Sequence, residues 1–298
     1  MQSFAYASQN PPATTGDFPP LLKNRDDKLI PNLANCCLLT AQTFPDTFKL
    51  NSFTGKTEVH HALPSPVTGQ PIAQDGPREL IDSDYTAVSA ALARSYGLNF
   101  SVQQVSAAIV ATAQENEYHP IRDYLTGLVW DGVPRLEHWL HDFLGAEDSE
   151  YTAGIGRMFM IGMVARIMRP GCKNDYTLIL EGSQGIRKST ACKVLAGGGR
   201  YFSDNLPPIR DANKDLSQPL SGKWLVEDAE MSATSRADTA ALRPVLTRRH
   251  EPYRPANATT ELTQPPPCLL MRTTQSTQYP PSVTIHRRHR PQPTRPAR

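Results

Sequence analysis

The stretch Thr177-Leu178-Ile179-Leu180-Glu181-Gly182-Ser183-Gln184-Gly185-Ile186-Arg187-Lys188-Ser189-Thr190 runs an apolar segment into a glycine loop that ends in Lys-Ser-Thr. The spacing G-x-x-x-x-G-K-[ST] marks a phosphate-binding loop: backbone amides curl around a phosphate, the lysine reaches its oxygens, and the hydroxyl ligates a divalent cation. Gly182, Gly185, Lys188 and Ser189 fit that template, with Gln184 and Thr190 beside them as further candidate contacts. One position departs from it. Arg187 stands where glycine precedes the lysine. Glycine is favoured there because it has no Cβ to clash and tolerates unusual φ and ψ, so the arginine predicts weakened or lost nucleotide binding.

The context also fits, because such a loop follows a strand and opens a helix. Thr177 to Leu180 is a short β-prone run. Ser189 to Leu195 forms a first helix that stops at Gly197-Gly198-Gly199, and its N-terminus adds partial positive charge to the loop.

The chain has 298 residues and a formal net charge of +2. That length allows one large domain or two ordinary ones, and the charge is too small to argue for a partner. Neither an apolar run long enough to span a bilayer nor a charged, then apolar, N-terminal leader is present. The expectation is therefore a cytoplasmic protein with no membrane partner. Its 5 cysteines form no C-x-x-C pair, and they read as reduced thiols rather than a zinc site. His60-His61 reads as a solvated pair.

Outward from the loop, residues 1–28 are polar and Pro-rich and are expected to be a disordered leader. Residues 29–170 form an N-terminal region that is mainly helical from about 80. Asp82-Ser83-Asp84 caps a helix with Val88, Ala91, Leu92 and Tyr96 at helical spacing, ending at Gly97. Ser101 caps another that carries Val102, Val105, Ile109, Val110 and Ala113 on one face. Leu136 to Leu144 and the apolar segment Tyr151 to Met168 continue it, closed by Pro170-Gly171.

Residues 171–255 switch to a strand-loop-helix pattern, which makes the fold class α/β: a P-loop NTPase core, incomplete in this chain, preceded by a helical subdomain and flanked by disordered N- and C-terminal tails. A second strand, Lys223 to Glu227, is an apolar run ending in acid. A carboxylate at a strand tip suits a Mg²⁺ shell, and a second one can orient an attacking water. Glu227, Asp228 and Glu230 supply three candidates.

These residues resemble the virulence-associated protein E family of phage and prophage P-loop ATPases, often described as primase-helicases. The resemblance is carried from about residue 30 to 255 by Asn116-Glu117-Tyr118-His119-Pro120 through Leu125, by Leu128-Val129-Trp130-Asp131-Gly132-Val133-Pro134-Arg135-Leu136, by Pro170-Gly171-Cys172-Lys173, by the glycine loop, by Lys214-Asp215, by Leu220 through Glu227 and by Tyr253-Arg254. Without the resemblance, Trp130 reads as a buried anchor and Asp131-Gly132 as a turn.

The resemblance implies an ATP- and Mg²⁺-dependent motor of DNA replication, assembled as a homo-oligomeric ring on single-stranded DNA. Lys188 and Ser189 would hold phosphates and Mg²⁺. Glu227 and Glu230 match the family's two acidic positions, Glu227 in the metal shell and both as catalytic candidates. Asp228 departs from the family, where an apolar residue is usual. No primase signature is present.

After Tyr253-Arg254 the resemblance leads one to expect a strand ending in Thr-Thr-Asn that senses the γ-phosphate, then an arginine-finger element. Residues 256–298 instead hold eight prolines, six arginines and no lysine, with Thr273-Thr274-Gln275 as a faint echo of the sensor. Such a segment is expected to bury no core and to leave the sheet a strand short. It reads either as a basic nucleic-acid arm or as out-of-frame translation that truncates the fold. Two functions follow: an impaired ATP-binding helicase-type protein, or a catalytically inactive fragment acting as a DNA-binding or interaction module.

Overall fold

A computed structural model describes residues 18–174, 176–205, 220, 222–229, 251–253, 262–264, 268–274 and 282–287. The chain divides into two compact units, residues 1–120 and 121–298.

The first unit opens earlier than the sequence placed it. Asn35 ties the leading strap down, accepting from Leu22 N at 2.8 Å and donating to Leu22 O at 2.7 Å, while Leu21 and Leu29 pack on the core. Helix α1 (Leu33–Thr43), strands β1 (Phe48–Asn51), β2 (Lys56–Val59) and β3 (Arg78–Glu79), and helices α2 (Asp82–Tyr96) and α3 (Val102–Glu115) follow. The three strands form an antiparallel sheet, with Phe48 opposite Val59 and Asn51 opposite Lys56. Gly55 closes the hairpin at φ 70°.

The two helices read from the sequence are present, and local chemistry explains their ends. Asp84 accepts from Ile81 N at 2.9 Å and takes both Arg78 guanidinium nitrogens at 2.7 Å, which fixes the first turn of α2. Gly97 ends it in the left-handed region. Ser101 and Gln104 form a reciprocal capping box at α3. Leu39, Phe48, Val59, Val88, Leu92 and Ile109 are all fully buried between these layers. Each such side chain contributes on the order of 2 kcal/mol by leaving water.

In the second unit, α4 (Pro120–Gly127) starts at the division, followed by α5 (Trp139–Leu144) and α6 (Glu150–Met168). Ser149 caps α6, accepting from Thr152 N at 3.2 Å. Next come β4 (Tyr176–Glu181), α7 (Lys188–Leu195), β5 (Phe202–Ser203), β6 (Leu225–Ala229), the two-stranded pair β7 (Glu251–Tyr253) and β8 (Leu262–Gln264), β9 (Leu269–Thr274) and β10 (Ser282–Arg287).

The main sheet has the order β10-β4-β9-β6-β5. β4, β9, β6 and β5 run parallel, and β10 pairs antiparallel with β4. The mixed α/β expectation therefore holds, with the strand, loop and helix around residues 176–195 in place. Trp224 donates from Nε1 to Met163 O at 3.0 Å, anchoring the start of β6 to α6.

Two expectations are corrected. Residues beyond 255 do build core: β9 lies between β4 and β6, with Leu269, Leu270 and Met271 buried. β4 is paired on both sides, so the sheet is not left short at that strand. Proline-rich composition reports on the flanks of this segment, whereas the Cys268-Leu269-Leu270-Met271 run alone is apolar enough to fill a central position.

Trp130 is the second correction, because it is 75% exposed rather than a buried anchor. The turn it was expected to support closes without a core: Trp130 Nε1 donates to Val133 O, and Asp131 takes Val133 N together with both Arg135 nitrogens. Paired with that guanidinium, the Asp131 carboxyl is held down at about 2. Among the described residues no helix is long and apolar enough to cross a membrane.

Candidate nucleotide site

The glycine loop spans residues 182–187 between the end of β4 and the start of α7. Gly182 is buried under it, while Ser183 through Arg187 are exposed. Two residues of the loop take positive φ: Gly185 at 85° and Arg187 at 65°. The second value matters most. Arg187 adopts the left-handed conformation for which glycine is preferred, so the chain keeps the backbone shape of the motif at a steric cost of roughly 1 kcal/mol.

Lys188, half-buried at the first position of α7, donates from Nζ to Gly182 O and Ser183 O, both at 2.8 Å. The ammonium thus closes over the loop's own carbonyls. Ser189 follows on the same turn and donates from Oγ to Glu227 Oε1 at 2.8 Å. Gln184 and Thr190 are exposed.

Glu227 lies on β6 and is fully buried. Its Oε1 accepts a second hydroxyl, Thr273 Oγ1, at 2.7 Å, while Oε2 is buried without a hydrogen-bond partner among the described residues. The topology explains the convergence. β9 separates β4 from β6, and the register places Thr273 opposite Ala229 and Met271 opposite Glu227, so Thr273 and Glu227 project to the same face of the sheet. That face carries α7, whose buried Cys192 touches Met271 Sδ at 3.1 Å. Burial pushes the Cys192 thiol up to about 12, helped by the Glu227 charge.

Asp228 points to the opposite face. It is buried, and it pairs with Arg272 on β9 at 3.0 Å. A charge at a position expected to be apolar is thereby accommodated through a neighbouring strand. Glu230, Lys214 and Asp215 lie outside the described residues.

Of the residues singled out in the sequence, the fold brings Ser189 and Glu227 into contact, with Lys188 next to Ser189 at the start of α7. Sequence reading undervalued Thr273, whose only signal was the Thr-Thr pair at the end of an apolar run, and it gave no partner for Asp228.

Residues 125–297 match the virulence-associated protein E-like domain, more than half of the chain. The chain belongs to that family. The match starts within α4 and continues through β9 and β10, so the family's domain extends past residue 255, where the resemblance was traced only that far, and the segment from 256 is part of it rather than foreign to it. The family's Trp-Asp-Gly block and glycine loop both fall inside it, whereas most of the Tyr-His-Pro block precedes it. No curated protein matches the chain.

Proposed function

We propose that the chain binds ATP with Mg²⁺ at the 182–189 loop as the P-loop ATPase part of a phage-type replication protein. The observation that carries this is the convergence of Ser189 Oγ and Thr273 Oγ1 on Glu227, whose second oxygen is buried and has no partner among the described residues. A buried carboxylate with one orphan oxygen costs stability unless it serves a bound cation or water.

The residues present fit the ligand. Lys188 would move from the carbonyls of Gly182 and Ser183 to the phosphate oxygens, and Ser189 would turn from Glu227 to the cation. Glu227 would hold the cation's water shell and Thr273 would report on the terminal phosphate. Mg²⁺ supplies charge neutralisation of the triphosphate. By membership of the family, the partners are single-stranded DNA and further copies of the chain in a ring, and the output is DNA unwinding or translocation in replication of a mobile element.

Arg187 favours a second reading, a catalytically inactive fragment that contacts DNA or another protein. Its side chain projects from a loop position that normally has none, at φ 65°. Equilibrium binding of a fluorescent ATP analogue with Mg²⁺ separates the two. The first reading expects binding that Lys188→Ala abolishes and Arg187→Gly strengthens. No binding to the unaltered chain or to Arg187→Gly, with salt-sensitive single-strand binding retained, establishes the second.

A further inference from the structure

The four parallel strands of the main sheet begin at one edge. The register sets their starts nearly level: Leu178 lies opposite Met271, Leu225 opposite Leu269, and Phe202 opposite Leu225. The stretches that lead into them therefore emerge together, across three strand spacings or about 14 Å. The end of α7 returns to the same edge, because that helix links the end of β4 to the start of β5.

That edge is basic. Arg169 and Lys173 precede β4, Lys193 lies in the last turn of α7, Arg200 precedes β5, and Lys223 precedes β6. Asp175 is the one acid in residues 169–175, 193–201 and 220–224. Five cations against one acid make a positive patch that the net charge of +2 conceals. Lys223 is half-buried and the other four cations are exposed. Local contacts gather them. Lys193 runs along Gly199, where an added Cβ would come within 3.1 Å of its Cε, and Lys223 Nζ donates to Arg200 O at 3.1 Å. The Arg200 guanidinium sits 5.7 Å from the centre of the half-buried Tyr201 ring.

We infer that this edge binds single-stranded DNA, with Arg169, Lys193 and Lys223 against its phosphates and the Arg200–Tyr201 pair offering a stacking face to an unpaired base. Lysine and arginine neutralise phosphates without reading sequence, and the aromatic adds a contact that a duplex, whose bases are already stacked, cannot use. The choice of DNA rests on the proposed function, whereas the polyanionic class rests on the charges alone. The glycine loop follows the other end of β4, so DNA and nucleotide take separate surfaces.

The test is fluorescence anisotropy of a labelled oligothymidylate with the full chain and no nucleotide, between roughly 50 and 200 mM salt. The unaltered chain is expected to bind, with log affinity falling linearly against log salt. Arg169→Gln, Lys193→Gln and Lys223→Gln each weaken binding several-fold and lower the slope by about 0.7, one phosphate contact on a single strand. Tyr201→Leu weakens binding at every salt concentration and leaves the slope in place. Far-UV circular dichroism and ATP-analogue binding are expected to be the same in all four variants. Because the assay holds no nucleotide, a chain that fails to bind the analogue still gives the DNA result, and the two readings fail separately. No binding by the unaltered chain overturns the inference. So does a slope that ignores the three substitutions, a slope that follows Arg287→Gln and Arg288→Gln instead, or a duplex of equal length that competes as well as the single strand.

Discussion

Two buried glutamates, one in each unit, accept side-chain hydrogen bonds and put them to different use. Glu58 on β2 spreads its partners over both oxygens: Asn51 Nδ2 reaches Oε1 at 2.8 Å and Tyr118 OH reaches Oε2 at 2.6 Å. Glu227 on β6 takes both hydroxyls on Oε1 and leaves Oε2 without a partner among the described residues. The first arrangement is self-sufficient. It ties the hairpin to the 116–119 segment, where Tyr118 N also bonds Leu50 O and Ser52 N bonds Tyr118 O. The second is incomplete among the described residues, and that buried carboxylate sits beside the loop that the sequence marks for phosphate. Equal burial therefore carries unequal meaning, and the distribution of partners decides between a brace and a site.

The largest effect is expected at the brace. Glu58→Ala strands a buried amide and a phenol together, at about 3 kcal/mol of stability in chemical denaturation. Nucleotide-analogue affinity stays unchanged. Should Glu58→Ala denature at the same midpoint as the unaltered chain, the contrast collapses from this side. Tyr118→Phe removes the phenol bond to Glu58 and is expected to cost about 1 kcal/mol.

At the site the pattern inverts. Glu227→Gln keeps an oxygen for the two hydroxyls and removes a buried charge, so stability is expected to hold or rise. The gain that Mg²⁺ gives to ATP-analogue binding falls by about tenfold, the loss of one charge-assisted contact. A titration with and without Mg²⁺ reads this directly. A Glu227→Gln chain that unfolds as readily as Glu58→Ala makes Glu227 a second brace.

Much of this was legible locally. The helix starts at 82 and 101, the glycine loop, and the acid within β6 are all signalled within a few residues of where they act. What escaped depended on distant chain. β1 and β2 are four residues each, too short for alternation to stand out, and they are specified by the helices they pack on. β9 was masked by the prolines before it, although its apolar run is buried at the centre of a sheet. Trp130 misled for the opposite reason: a large apolar side chain argues for burial, yet a self-contained turn held by Asp131 and Arg135 needs no core beneath it. Glu58 gave no signal at all, because a lone acid in a short strand reads as a solvated one.

The smallest effect is also the most discriminating, because Cys192 reports the Glu227 charge without altering the site. Burial is the main cause of its raised pKa and the Glu227 carboxylate adds to it, taking the thiol from 9.0 to about 12. Peptide-resolved alkylation across alkaline pH is expected to move the Cys192 transition downward in Glu227→Gln and to leave it in place in Glu58→Gln. The linked stability has a definite sign. A thiol that ionises at about 12 when folded and near 9 when unfolded keeps its full contribution below pH 9 and loses it as pH rises from there toward 12, since only the unfolded chain releases the proton in that window. Removing the Glu227 charge narrows that window from above, so the alkaline loss of stability becomes shallower in Glu227→Gln alone. Identical alkaline limbs in both glutamine variants would mean that the carboxylate beside Ser189 carries no charge for the thiol to sense, and with it no charge to offer a cation.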